Sequence, residues 1–259
     1  MDLGIRGRRA IVCASSRGLG RACARALAAE GVDVVVNGRD AAQLAATAEE
    51  IRLEAGVDVR AVAADLCTEE GRQRLVAECP DPDILVNNNG GPPPGRFEDW
   101  DHAKWLAALE ANLLAPVLLI RAVIGGMRER RFGRIVNVTS AMVKAPHSAM
   151  GLSTAARSGL TAVCKGLSKE VAQYNVTINN LLPERIHTGR QRFMAELRAK
   201  TGGVTLEQAY EEMAASIAAK RLGTPEEVGS ACAWLCSTHA GYVSGQNLQL
   251  DGGSYPGVF

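Results

Sequence analysis

The stretch Arg9-Ala10-Ile11-Val12-Cys13-Ala14 runs directly into Ser15-Ser16-Arg17-Gly18-Leu19-Gly20. After Arg9 the first half is uninterruptedly apolar, the pattern of a strand covered on both faces. Arg21 to Glu30 are good helix formers, and Gly31 supplies a stop. Strand, glycine-bearing loop and helix in immediate succession form a unit whose loop amides and helix N-terminus can cradle a phosphate. The spacing is not Gly-x-Gly-x-x-Gly, and a plain tight turn between strand and helix would carry the same glycines.

The rest of the chain repeats this alternation. Val32 to Val36 reads as a second strand; Asp40 caps a helix to about Ala55, ended by Gly56. Val57 to Ala63 is a third strand, Thr68 to Cys79 a helix closed by Pro80, and Ile84 to Val86 a fourth strand. Two helices are expected over about Asp99 to Arg130, with Gly133 marking the stop. Arg134 to Val138 is a fifth strand, about Met150 to Tyr174 a long helix, and Val176 to Leu182 a sixth strand. After Pro183 the pattern turns polar and irregular to about Ala219. Pro225 opens a helix ending near Thr238, and Asn247 to Leu250 is a last strand. Apolar strands separated by helices predict an α/β, Rossmann-type, doubly wound parallel sheet of about seven strands with helices on both faces. One domain over residues 1–259 is expected, with 184–219 as a flap over the substrate. Ligands of such sheets bind at the carboxyl ends of the strands. That gathers residues 14–20, 37–40, 65, 87–90, 140 and 183–188 into one site.

Composition narrows the function. The 259 residues are 47% hydrophobic and 22% charged, which excludes a disordered chain. A net charge of +1 gives no field to draw the chain onto nucleic acid or an anionic membrane. Aromatic residues at 4% leave little for stacking single-stranded bases. Seven cysteines without a Cys-x-x-Cys pair indicate neither a disulfide framework nor a metal site. Asp2 and the early glycines do not resemble a signal peptide, and the longest apolar run, Asn112 to Met127, is broken by Pro116 and Arg121. A cytoplasmic protein with no membrane span is expected.

The end of the second strand bears on the cofactor. A binder of NAD(H) places a carboxylate there for the ribose 2′-hydroxyl. Val36-Asn37-Gly38-Arg39 has none, since Asp33 precedes the strand and Asp40 begins the helix. Arg39 and Arg17 offer guanidinium forks for a 2′-phosphate instead. NADP(H) is favoured over NAD(H).

Further motifs follow in order. Asp65-Leu66 follows the third strand, Asn87-Asn88-Asn89-Gly90 the fourth, and Val138-Thr139-Ser140 ends the fifth. Pro183-Glu184-Arg185-Ile186-His187-Thr188 follows the sixth, and Asp251-Gly252-Gly253 the last. Over nearly its whole length the sequence resembles the short-chain dehydrogenase/reductase family, and is similar within it to 3-oxoacyl-carrier-protein reductases. The resemblance implies hydride exchange between a nicotinamide and a carbonyl or alcohol substrate. It implies cofactor contacts from Ser15, Ser16, Arg17, Gly18, Leu19, Gly20, Arg39, Asp65, Leu66, Asn88, Gly90, Arg157, Pro183, Ile186 and Thr188. It implies catalytic roles for Asn112 and Ser140, and a homotetramer, or homodimer, built on the two long central helices.

Several positions depart from the family pattern. Ala14, Asn89 and Glu184 stand where the family has Gly, Ala and Gly. The slots of the family's tyrosine and lysine, 13 and 17 residues beyond Ser140, hold Ser153 and Arg157, and no Tyr-x-x-x-Lys occurs in the chain. Hydride delivery leaves an alkoxide that needs a proton. An aliphatic hydroxyl is a far weaker acid than a tyrosine whose pKa neighbouring cations have lowered from about 10. Arg157 can fork onto the nicotinamide ribose but cannot relay protons. Tyr174 is 21 residues beyond Ser153 on the same expected helix, roughly 31 Å along its axis, and is excluded. Lys165 fails likewise. Lys144 and His147 lie in the loop after Ser140, and the imidazole of His147 is a candidate proton donor. His102, His187 and His239 form no ligand set, and Cys232 and Cys236 read as core. Two accounts stay open: an NADP(H)-dependent oxidoreductase with a non-standard proton donor, assisted by Ser153 or His147, and a dinucleotide-binding sensor or partner subunit without turnover. A scaffold that binds no nucleotide is a third.

Overall fold

The structure, a computed structural model, describes residues 1–258. Seven parallel strands form one sheet in the order β3-β2-β1-β4-β5-β6-β7. They are β1 (Arg9–Val12), β2 (Asp33–Gly38), β3 (Val59–Ala63), β4 (Ile84–Asn87), β5 (Gly133–Val138), β6 (Val176–Pro183) and β7 (Asn247–Leu250). Side chains alternate across the sheet as a period of two requires. Ala10, Val12, Val34, Val36, Ile84 and Val86 feed one core, and Ile11, Cys13, Val35, Leu85 and Ile135 the other.

Helices α1 (Gly18–Ala29), α2 (Ala41–Ala55) and α9 (Pro225–Cys236) cover the first core, supplying Cys23, Leu27, Leu44, Ile51, Val228 and Cys232. Helices α3 (Glu69–Glu78), α5 (Ala115–Glu129) and α6 (Gly151–Val171) cover the second with Leu75, Leu119, Val123, Met127, Leu160 and Cys164. The doubly wound, single-domain architecture expected from the sequence is the one found. Strand order reverses between β1 and β4, which opens the binding crevice at that point.

Three expectations are corrected. The two helices expected over Asp99 to Arg130 are one continuous helix. In it α4 (His102–Leu109) passes through a π-turn, Glu110–Leu114, into α5, with Pro116 tolerated in the first turn of α5. The resulting 28-residue helix, His102–Glu129, is by length and composition apolar enough to cross a bilayer, so the expectation that no segment qualifies does not hold. In this fold it packs against α3, α6 and β5. Lastly, the segment expected to be irregular contains two helices, α7 (Gly189–Gly202) and α8 (Leu206–Ala215). They bury a small core of their own around Ala195, Ala209 and Met213.

Candidate active site

The phosphate loop is held by its neighbours. Ser15 is fully buried: its hydroxyl donates to the Val12 carbonyl at 2.7 Å and accepts from the Asn37 amide at 3.0 Å. That hydroxyl is spent inside the protein, so Ser15 shapes the loop and does not present the hydroxyl to a ligand. Asn37 accepts from the Ala14 amide at 3.3 Å and donates to the carbonyls of Val62 and Ala64, tying β2 and β3 to the loop. Asn88 donates to the Ala14 carbonyl at 3.1 Å from the end of β4. Ala14 has φ +44°, the left-handed region in which glycine is at ease and alanine is strained. A Cβ on Gly20 would lie 2.4 Å from the Ala14 carbonyl oxygen, so the turn closes only around glycine there.

Above this loop α1 opens on Arg17, which makes no side-chain cap, and its first turn carries no acidic residue. By contrast α2, α3, α7, α8 and α9 each open on an Asp or Thr side chain that accepts from the helix backbone. Uncapped amides and the positive end of the helix dipole fit a pyrophosphate. Ser16 and Leu19 lie within this turn, half-buried, and Arg17 is exposed at its rim. Alongside lies a pocket of about 370 Å³ lined by Arg39, Ala63, Ala64, Asp65, Thr68, Glu70, Gly71 and Arg74. Arg39, expected from the sequence to grip a 2′-phosphate, lines that pocket. Arg74, which sequence reasoning missed, lines the same pocket; an arginine on an exposed helix face carries no sequence signal that it faces a ligand. Leu66 is buried with the second core, so it backs the pocket and does not line it. Pro183 ends β6, and Ile186 is buried, bridged to Gly223. Thr188 caps α7 and lies beside the loop, its methyl 3.9 Å from where a Gly18 Cβ would be.

The predicted catalytic residues are gathered at the ends of β4 and β5. Ser140 follows β5, half-buried, with its hydroxyl oxygen accepting from the Met142 amide at 3.2 Å. Asn112 lies in the π-turn and is buried; its Nδ2 reaches the Gly90 carbonyl at 3.5 Å, while its Oδ1 has no partner. Asn112 lines a cavity of about 20 Å³ shared with Asn87, Asn88, Asn89 and Arg157, space for one water molecule. Asn89, a departure from the family pattern, donates to the Ala111 carbonyl at 2.9 Å. Its amide thereby holds the π-turn that aims Asn112.

Arg157 differs from its expected place. Nη1 donates to the carbonyls of Val138 and Thr139 at 2.7 and 3.1 Å, Nη2 to Asn89 at 2.9 Å, and Nε to the Ser153 hydroxyl oxygen at 3.2 Å. Four of the five guanidinium N–H groups are thus engaged, and the group clamps two strand ends to α6. The fork expected to hold the ribose is mostly occupied by main chain. Burial, with Arg190 nearby, lowers its pKa to about 10, which leaves it charged at neutral pH. Ser153 is 3% exposed, and a Cβ on Gly91 would sit 3.6 Å from its Oγ and 3.7 Å from Arg157 Nη2. The Gly91 loop therefore closes over Ser153 and Arg157. His147 is exposed, its Nδ1 accepting from the Ala149 amide at 3.2 Å. Lys144 donates to Gln249 at 3.3 Å.

These features agree with known proteins. A family model described as enoyl-(acyl carrier protein) reductase matches residues 13–255. The chain is 30% identical over 258 residues to the NADPH-dependent reductase BacG of Bacillus subtilis (strain 168), covering 97% of this chain and 99% of that protein. It is 31% identical over 259 residues to the 3-oxoacyl-[acyl-carrier-protein] reductase FabG of Aquifex aeolicus (strain VF5), covering 98% and 100%. Its structure superimposes on L-sorbose reductase from Gluconobacter frateurii, solved with NADPH and L-sorbose, with a TM-score of 0.95, 30% identity and full coverage of both chains. With a uniform sheet topology, a phosphate loop at its switch point and a match over nearly its whole length, the chain belongs to the short-chain dehydrogenase/reductase family.

Proposed function

We propose that this chain is an NADPH-dependent oxidoreductase that reduces a small carbonyl compound to its alcohol, with a proton donor other than tyrosine. The carrying observation is the uncapped start of α1 beside a pocket rimmed by Arg39 and Arg74, with no carboxylate on Asn37-Gly38-Arg39. That set matches the charge of an adenosine 2′-phosphate joined to a pyrophosphate. The NADPH named for BacG and bound in L-sorbose reductase supports the same choice.

When bound, reduced nicotinamide supplies a hydride to the carbonyl carbon. The chain's own residues then manage the oxygen. Ser140 accepts from a backbone amide, which leaves its hydroxyl proton free to hold the carbonyl oxygen. Arg157, buried and charged, places positive field beneath the developing alkoxide. The balancing proton comes from solvent along the 144–148 loop, where His147 stands exposed; Ser153 is too deeply enclosed to deliver it. Residues 184–219, containing α7 and α8, serve as the flap over the substrate.

The burial of Ser153 and Arg157 favours one alternative, a dinucleotide-binding subunit without turnover. NADPH fluorescence titration followed by NADPH oxidation with a carbonyl panel separates the two: binding with oxidation supports the reductase, and binding without oxidation supports the alternative. We place the protein in the cytoplasm, which suits its seven free cysteines. We further propose a homotetramer, or homodimer, built on the two central helices. Leu106, Leu114 and Val163 are exposed there, and light scattering gives the mass.

A further inference from the structure

Helix α7 carries arginines of two kinds. Arg192 reaches Glu196 and Arg198 reaches Glu212, each at 2.9 Å, and these four side chains are exposed. Arg190 is different. It is half-buried, and among the described residues no carboxylate lies within ion-pair distance of it, although Arg192 and Arg198 find theirs in Glu196 of α7 and Glu212 of α8. Nη2 donates to the Pro92 carbonyl at 2.8 Å, and the guanidinium carbon sits 5.7 Å from the Phe193 ring centre. Four N–H groups of the fork remain.

Its position is defined from two sides. Pro92 follows Gly91, which closes over Ser153 and Arg157. Thr188, two residues before Arg190, lies beside Gly18 of the phosphate loop. Arg190 therefore spans from α7 to the loop that roofs Ser153 and Arg157. The carboxylates at the β6 and β7 ends have partners of their own: Glu184 faces Arg185 at 3.7 Å, and Asp251 accepts from the Gly253 and Tyr255 amides. Burial lowers the Arg190 pKa and Arg190 in turn lowers that of Arg157, so an anion arriving between them is favoured by both.

On the reductase reading above, we propose that the substrate carries a carboxylate as well as its carbonyl, and that Arg190 is the residue that receives that carboxylate. A guanidinium half out of water and without a counter-ion is a fork shaped for two carboxylate oxygens. It makes the substrate class an oxo-acid and Arg190 the determinant of that specificity.

The test compares wild type with Arg190→Met and Arg190→Lys, using acetoacetate against methyl acetoacetate, and dihydroxyacetone phosphate as the phosphate arm. NADPH affinity is measured separately. We expect wild type to favour acetoacetate over its ester by roughly ten- to a hundredfold in KM. Arg190→Met should lose that preference through KM, Arg190→Lys should keep part of it, and both should bind NADPH as wild type does. A preference retained in Arg190→Met, a matching loss of NADPH affinity, or a wild-type preference for the phosphate arm overturns the proposal. Should no carbonyl be reduced, the reductase reading falls but the carboxylate site is still tested. Acetoacetate must then alter the fluorescence of bound NADPH in wild type and not in Arg190→Met, and no change in wild type overturns the site as well.

Discussion

Arg157 Nε donates to the Ser153 hydroxyl oxygen at 3.2 Å, one helical turn back along α6. The two residues expected from the sequence in the tyrosine and lysine slots are bonded to each other and buried. Arg157 holds the chain at the ends of β4 and β5 in place. The carbonyls of Val138, Thr139 and Asn89 depend on that guanidinium.

Arg157→Met should therefore destabilise the protein by about 3 kcal/mol or more, because several buried acceptors lose their donor at once. Arg157→Lys should fall between wild type and Met, since an ammonium keeps the charge but cannot span Ser153 and both strands. Urea denaturation midpoints check this; an unchanged midpoint for Arg157→Met would show the clamp to be idle.

Ala14→Gly should stabilise by about 1 kcal/mol, by relieving a left-handed alanine at φ +44°. Gly20→Ala should do the opposite, costing about 1–3 kcal/mol, because its Cβ would meet backbone 2.4 Å away. Thermal melts of the two variants should move in opposite directions, and NADPH binding should be lost only in Gly20→Ala.

Arg39→Ala and Arg74→Ala should each weaken NADPH by about tenfold while leaving NADH nearly unchanged. Calorimetric titration with both coenzymes decides the matter. Equal losses for the two would remove the 2′-phosphate from this pocket.

Glu184→Gln should raise stability at neutral pH. Burial lifts the Glu184 carboxyl above its ordinary range, and Arg185 only partly offsets this. The folded protein thus holds that proton more tightly than the unfolded chain does, and stability falls as pH rises through the raised pKa. The advantage of glutamine should be full above that pKa and vanish as pH drops below the ordinary carboxylate value of about 4. A gain that persists at pH 3 would point to a cause other than charge.

Much of this architecture could be read along the chain because its markers are local. Asp40 and Gly56 bracket α2 in the sequence as they do in the structure, and Asn247–Leu250 is a strand in both. The π-turn could not be read, since Glu110 to Leu114 have ordinary helical composition and the extra residue is fixed by Asn89 and Gly90 from the loop after β4. The helices α7 and α8 escaped for another reason. Their exposed faces hide any apolar stripe, although Thr188 to Gln191 and Thr205 to Gln208 are capping pairs visible in the sequence. In the site, Ser140 and Asn112 lie where motif order put them. The enclosure of Ser153 was not legible because it depends on Gly91, a residue without a side chain to betray its contact.

The π-turn also fixes how this gene can vary. Removing one codon between Glu110 and Leu114 would restore a regular helix, closing the wide turn that carries Asn112 while the helix on either side kept its facing. The orphaned Asn112 oxygen would then point elsewhere, while α5 kept its own grip on the sheet. Such a deletion would produce a folded but misaimed protein, so natural variation in chain length should be sought in the surface connections and not here.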